Sequence, residues 1–264
     1  MARHGRSGFR KGEKSDHQNR ASDWIYGLNP VAEALKSGRR IEKVVYCANN
    51  EAVARLVKDA VQLGIPAEAT GRQFFDERFQ KGHQGIAAKA APINTINIDD
   101  LLEIPVSKGE QPFFMVLDCI EDPRNFGAIL RTADSAGVHG VVFQSHRSAG
   151  ITPLVSKTSA GAIEHIALCE TVNIKHAITA MKAEGIVIIG AEAGSEKSIW
   201  DINLAGPVAI VLGSEGKGLR KTVRDLCDEI VSLPMRGSVN SLNVSVAAGI
   251  MAYEAVRRRT IKNL

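Results

Sequence analysis

Val208-Ala209-Ile210-Val211-Leu212-Gly213-Ser214-Glu215-Gly216-Lys217-Gly218-Leu219 is an apolar run that empties into a glycine-rich turn and then resumes as a helical pattern. A stretch of this kind, apolar without polar alternation, reads as a strand buried on both faces, the habit of parallel sheets. The glycines let the backbone turn sharply and let a ligand lie against main-chain N–H and C=O groups. The turn is not a Walker loop, because Leu219 rather than lysine follows Gly218. Its GxxGxG order also departs from the dinucleotide fingerprint, which belongs on the first strand of its domain. The spacing therefore points to a ligand other than a nucleoside triphosphate or NAD.

Working outward, similar apolar runs at Phe113–Leu117, Gly140–Phe143, Ile166–Cys169, Ile186–Gly190 and Ile230–Leu233 predict further strands. Helical patterns fall between them at Phe126–Ala136, Ile174–Glu184, Leu219–Cys227 and Val244–Arg259. Strands alternating with helices predict an α/β fold with a largely parallel sheet covered on both faces. This unit occupies 112–264. A smaller α/β module is predicted over 23–91, with Asn29 capping a helix that runs to Ser37, a strand at Ile41–Tyr46 and a helix at Glu51–Leu63. A short strand near Ile65, a helix at Arg72–Phe79 and a strand at Gly85–Ala90 complete it. Residues 92–111, with Pro92 and Pro105 among scattered polar residues, read as an interdomain linker with a helical trace at Asp99–Glu103.

Composition narrows the setting. Of 264 residues, 44% are hydrophobic, enough to drive folding by burial. No apolar run reaches the roughly 20 residues that span a bilayer. The opening segment has no apolar stretch after its basic residues, so no secretory signal is expected there; Glu13 and Asp16 count against a transit peptide. Cys47, Cys119, Cys169 and Cys227 lie far apart with no CxxC spacing, and the seven histidines form no ligand pattern. Reduced thiols in a cytoplasmic protein, without metal or membrane, are expected. The net charge of +4 permits a nucleic-acid partner without requiring one. Residues 1–22 carry Arg3, Arg6, Arg10, Lys11, Lys14 and Arg20 with almost no large apolar residue, which predicts a disordered basic tail. Such a tail either holds phosphates or serves only solubility.

Two more segments stand at strand ends. Leu117-Asp118-Cys119-Ile120-Glu121-Asp122-Pro123-Arg124-Asn125-Phe126-Gly127-Ala128-Ile129-Leu130-Arg131-Thr132-Ala133 is a strand, an Asp-Pro turn and a helix opening at Asn125. Open α/β sheets build their sites at such carboxyl ends. The plain alternative is that Asn125 caps the helix and Arg131 pairs with Asp134. Six residues turn a helix by roughly 240° net, so spacing does not put Asn125 and Arg131 on one face. Leu233-Pro234-Met235-Arg236-Gly237-Ser238-Val239-Asn240-Ser241-Leu242-Asn243-Val244-Ser245-Val246-Ala247-Ala248-Gly249 is a polar loop entering a long final helix. Ser241 or Asn243 is placed to cap it, and Arg257, Arg258 and Arg259 suit the negative end of its dipole.

Taken in order, the three segments resemble the three signature motifs of the SpoU (TrmH) family of RNA ribose methyltransferases, over nearly all of Phe113 to Arg259. Tyr26-Gly27-Leu28-Asn29-Pro30-Val31-Ala32-Glu33-Ala34-Leu35 and His83-Gln84-Gly85-Ile86-Ala87-Ala88 also resemble the front module of the bacterial subfamily that methylates a guanosine of 23S rRNA. That module has a ribosomal-protein-L30-like (L30e-like) fold that binds the RNA substrate. Asn29 departs from the histidine frequent there, and so does the long basic tail.

The resemblance implies a SPOUT-type domain whose C-terminal part is tied in a trefoil knot, a topology that general rules of chain connection would not suggest. It implies S-adenosyl-L-methionine as cofactor, contacted by Gly213, Leu233 and Leu242 with Gly216, Ile210 and Met235 nearby. It further implies a homodimer in which the partner contributes to each site, and a structured RNA, rRNA foremost, as substrate. Arg131 is the implied catalytic centre. Asn125 and Asn243 hold it and the ribose, while Glu215 and Ser241 fix loop geometry and substrate. Arginine stays protonated in nearly any protein setting, so Arg131 is read first as an orienting cation and only second as a base. A tRNA 2′-O-methyltransferase and a noncatalytic ribosome-assembly factor of the same fold are the competing readings.

Overall fold

The computed structural model describes residues 24–79 and 81–261. The basic tail expected at 1–22 lies outside them.

The front unit is a four-stranded sheet of β1 (Trp24–Tyr26), β2 (Ile41–Tyr46), β3 (Ala67–Ala69) and β4 (Ile86–Ala90), in the order β1-β4-β2-β3. Its helices are α1 (Leu28–Lys36), α2 (Glu51–Gln62) and α3 (Arg72–Arg78). Successive strand residues face opposite sides. Ile25, Val44, Ile86 and Ala88 pack beneath α1 and α2, while Tyr26, Val45 and Ala87 meet Phe75 of α3 beside Trp24, Phe74 and Phe79. The start of α1 differs from expectation. Its cap is Gly27, at φ 97, and Asn29 lies inside the helix; Pro30 still falls in the first turn, where its missing N–H costs nothing.

The expected linker also carries structure: Ile98–Lys108 forms helix α4. The Asn97 side chain accepts the Asp100 N–H at 2.8 Å, Asp99 and Asp100 occupy the first turn, and Gly109 ends the helix at φ 66. Leu101, fully buried, packs so closely on Gly140 that a Cβ there would stand 2.3 Å from its Cδ1. Pro105 sits inside the helix and obscured it in the sequence; burial of its ring and of Leu101 outweighs the lost backbone bond.

The second unit is a six-stranded sheet in the order β10-β8-β9-β5-β6-β7, every pairing parallel. Its strands are β5 (Phe113–Asp118), β6 (Gly140–Gln144), β7 (Ala167–Thr171), β8 (Val187–Ala191), β9 (Val208–Gly213) and β10 (Glu229–Val231). The helices are α5 (Pro123–Ser135), α6 (Pro153–Thr158), α7 (Ile174–Ala183), α8 (Lys221–Arg224) and α9 (Val244–Ile261). Met115, Leu117, Ile210 and Leu212 face the layer of α5 and α9. Phe114, Val116, Ala209 and Val211 face the layer of α4, α7 and α8. Helix α8 is shorter than Leu219–Cys227, because Arg220 remains extended and holds a neighbouring strand end by its side chain.

The units meet over a polar, partly buried surface. Arg39 pairs with Glu164 at 2.7 Å with side chains only 9% and 1% exposed, and its Nε–H donates to the Ala91 carbonyl at 2.6 Å. Burial raises the Glu164 carboxyl, opposed by the Arg39 guanidinium. Glu33 meets His165 at 2.9 Å, and the Lys157 ammonium donates to Gln84 Oε1 at 3.1 Å. Among the described residues no helix is long and apolar enough to cross a membrane.

Candidate active site

At the carboxyl end of β9, Gly213 lies so close to the returning chain that a Cβ would stand 2.2 Å from the Gly218 carbonyl carbon. No other residue fits. Ser214 N–H donates to Gly218 O at 3.1 Å and Gly218 N–H donates back to Ser214 O at 2.9 Å, closing a short loop. Gly216 at φ 81 and Gly218 at φ 65 supply the left-handed backbone that this closure needs.

This loop forms one wall of a cavity of about 630 Å³. Ala191 to Gly194, at the end of β8 and just beyond it, form a second wall; Ser232, Leu233, Met235 and Asn240 to Asn243 a third; and Val244, Ala247 and Met251 of α9 the base. Of the residues expected at a cofactor, Gly213, Gly216, Leu233, Met235 and Leu242 line the cavity. Ile210 does not: it is fully buried in mid-β9, below Leu212, in the layer beneath the cavity. The volume falls within the range of pockets for ligands the size of a nucleoside derivative. Apolar Leu233, Met235 and Leu242 stand beside polar Ser214, Glu215, Asn240 and Ser241, so the lining offers both kinds of surface to a small molecule.

Glu215, Ser241 and Asn243 also line the cavity. Asn243 Oδ1 accepts the Ser245 N–H at 3.0 Å and the Ser245 hydroxyl at 2.6 Å, so Asn243 caps α9. That fixes the orientation of its amide. Nδ2 donates to Asn125 Oδ1 at 2.9 Å and to Glu215 Oε1 at 2.5 Å. Three chain segments far apart in sequence thus join at one amide.

Asn125 is free for this because Asp122, with Pro123 at the first position, caps α5 by accepting the Arg124 N–H at 2.7 Å. Helix α5 therefore begins three residues before Phe126, and Asn125 lies inside its first turn, buried. Arg131 stands apart. It is exposed, outside the cavity lining, and among the described residues it has no carboxylate in salt-bridge reach, Asp134 included.

Three features escaped the sequence reading. The wall after β8 carries a glycine at a strand end, a signal that the rule for parallel sheets could have flagged. The cavity base needed the helix to be placed before Ala247 and Met251 could be read as lining. Arg259 does more than suit a dipole. Its guanidinium, pulled down by burial, donates to the carbonyls of Leu204, Gly206, Gln111 and Pro112 and covers the Phe113 ring at 4.6 Å.

The four cysteines are unpaired, and burial pushes Cys169 up to about 11 and Cys227 up to about 12, far from reactive thiolates. Among the described residues no group of His, Cys, Asp and Glu side chains is arranged to hold a metal.

Comparison with known proteins gives the family. Residues 112–253 match the SpoU rRNA Methylase family, and residues 24–96 match the RNA 2′-O ribose methyltransferase substrate binding family. The chain is 39% identical to the 23S rRNA (guanosine-2′-O-)-methyltransferase RlmB of Shewanella oneidensis over 90% of its length and 98% of that protein. It is 36% identical to RlmB of Escherichia coli over 90% of this chain and all of that one. Among solved structures, the SpoU methyltransferase AviRb from Streptomyces viridochromogenes, in complex with AdoMet, superposes with a TM-score of 0.78 at 25% identity, covering 94% of each chain. The chain belongs to the SpoU family of RNA methyltransferases.

Proposed function

We propose that this protein methylates the ribose 2′-hydroxyl of a guanosine in 23S rRNA, using S-adenosylmethionine, in the cytoplasm. The observation that carries the reading is the Asn125–Asn243–Glu215 junction at the rim of the cavity, where all three motif segments meet. S-adenosylmethionine, when bound, supplies an electrophilic methyl group on a sulfonium. Gly213, Gly216, Leu233, Met235 and Leu242 hold it against their backbone and exclude water. Asn125, whose Oδ1 is engaged by Asn243, keeps its own amide N–H groups for a ribose or phosphate oxygen. Glu215 and Ser241 set the rim that receives the nucleotide. Arg131 orients the ribose and balances charge at the attacking oxygen.

Arg131 lies outside its own cavity, which supports a site completed across a homodimer. Val246, Ile250 and Tyr253 form an exposed stripe on α9, at 49%, 36% and 51%, that a second copy would cover. The front domain over 23–91 reads RNA shape and delivers the nucleotide. The domain of 112–264, with α4 packed on it from the intervening stretch, carries out the transfer. In support of a knot, the last segment is bonded to the loop after β8 at two points. Ser232 N–H donates to Lys197 O at 2.9 Å, and Arg258 of α9 donates to Trp200 O at 2.6 Å.

Mapping 2′-O-methyl groups in rRNA and tRNA from cells with and without the protein tests the substrate; loss confined to tRNA would refute the rRNA assignment. Arg131→Ala is expected to lower turnover about a hundredfold or more with folding and cofactor affinity intact. Dimers mixed from Arg131→Ala and Asn243→Ala chains should regain activity that neither parent shows. No recovery would place both residues in one chain's site.

A further inference from the structure

We infer that Asp118 and Arg220 form a clasp that sets the shape of the glycine loop, making them positioning residues for the cofactor although neither lines the cavity. The inference rests on reading the cavity as the cofactor site. Asp118 ends β5 and pairs in register with Gly213 of β9. Its carboxylate is fully buried, accepting the Arg220 backbone N–H at 2.9 Å on Oδ2 and the Arg220 Nε–H at 2.6 Å on Oδ1. The guanidinium also donates to Gln144 Oε1, at the end of β6, at 2.9 Å. The Cys119 thiol, held at φ 60, donates toward the same Gln144 oxygen at 3.5 Å.

A buried charge is costly unless it is paired and hydrogen-bonded, and a strand end in this core could have carried an apolar residue, as Leu117 does. What the charge provides is geometry. The loop from Gly213 to Arg220 is pinned at both ends to one residue: at its start by the β5–β9 pairing, at its finish by the Asp118 carboxylate. Between the pins, the mutual Ser214–Gly218 bonds leave only Glu215, Gly216 and Lys217 unconstrained by the ladder. Glu215 is the residue that takes the Asn243 amide. A loop held this way has little freedom to lose when a ligand settles on it; released, it must be ordered at the expense of binding.

The test compares Arg220→Gln, Arg220→Lys and Asp118→Asn in the full-length protein by calorimetric titration with S-adenosylmethionine, alongside the KM for RNA and thermal melting. Arg220→Gln should weaken cofactor binding about tenfold or more. The KM for RNA should rise by a smaller factor than the cofactor affinity falls. Arg220→Lys, which keeps a charge toward Asp118, should recover part of the affinity. Asp118→Asn added to Arg220→Gln should cost little more than Arg220→Gln alone. If Arg220→Gln does not fold, Arg220→Lys carries the comparison. Lowered melting with unchanged affinity would overturn the clasp. Ala247→Trp, which fills the cavity base, separates the two readings. Full cofactor binding in that variant refutes the cavity assignment, whereas loss of binding there with normal affinity in Arg220→Gln refutes the clasp alone.

Discussion

Asn243 shows how one side chain can serve a helix and a site at once. Its oxygen caps α9 and its nitrogen joins Asn125 to Glu215, so the amide orientation that stabilises the helix also aims the donor at the rim. The two duties can be separated. Asn243→Ser keeps a capping oxygen and removes the amide donor, so unfolding free energy should stay within about 1 kcal/mol of wild type. Turnover should fall steeply in the same protein. Chemical denaturation and single-turnover methylation check this, and retained activity would reduce Asn243 to a cap. At this scale the sequence named the participants but not their partners. The resemblance implies Asn125 and Asn243 around Arg131 and Glu215 fixing the loop, whereas the structure joins these three to one another and leaves Arg131 on the surface.

Among elements, the glycine loop and the ends of the central strands carry the strongest constraints. Gly213→Ala drives a methyl into the Gly218 backbone, which cannot give way as a side-chain tip would. The loop must open, with a stability loss of about 1–3 kcal/mol and loss of S-adenosylmethionine binding, read by denaturation and titration. At the opposite end of the sheet, His139 accepts the Phe113 N–H at 3.1 Å on Nδ1 and meets Glu110 at 2.9 Å through Nε2. Burial holds this imidazole below its ordinary pKa despite Glu110, so the native state favours the neutral ring. The unfolded ring takes up a proton below about pH 6.5, so the unfolded state binds more protons there and stability falls as pH drops. Denaturant midpoints at neutral and mildly acidic pH should therefore diverge in the wild type and converge in His139→Asn. Equal slopes in both proteins would refute the assignment.

For the whole molecule, the junction between the units decides whether the front module delivers RNA in a fixed orientation. Arg39→Met leaves Glu164 buried without its partner and should cost about 3–5 kcal/mol, with domain docking loosened. Adding Glu164→Leu should return most of that loss, because the uncompensated charge is then gone. Thermal melting of the single and double variants decides the matter; a double variant as weak as the single would show that packing rather than charge holds the junction. Arg259 ties the far end of α9 to loops at residues 111–112 and 204–206, fastening the last helix beneath the sheet.

The apolar run Val208–Leu212 and its glycine-rich turn determined the class of fold only together with the similar runs and the helical patterns between them, since that alternation argues for a parallel sheet covered on both faces. The sequence also fixed most strand positions, for burial on two faces is written directly in residue type. It did not fix helix α4, where the penalty of Pro105 is offset by burial of its own ring and of Leu101. Nor did it place Ile210, whose apolar character is the same whether it lines a cavity or lies beneath one. The clasp of Asp118 and Arg220, the cavity wall after β8 and the exposure of Arg131 were decided by tertiary structure alone. Each depends on which distant segments meet, and hydrogen-bond partners separated by a hundred residues leave no local pattern in the chain.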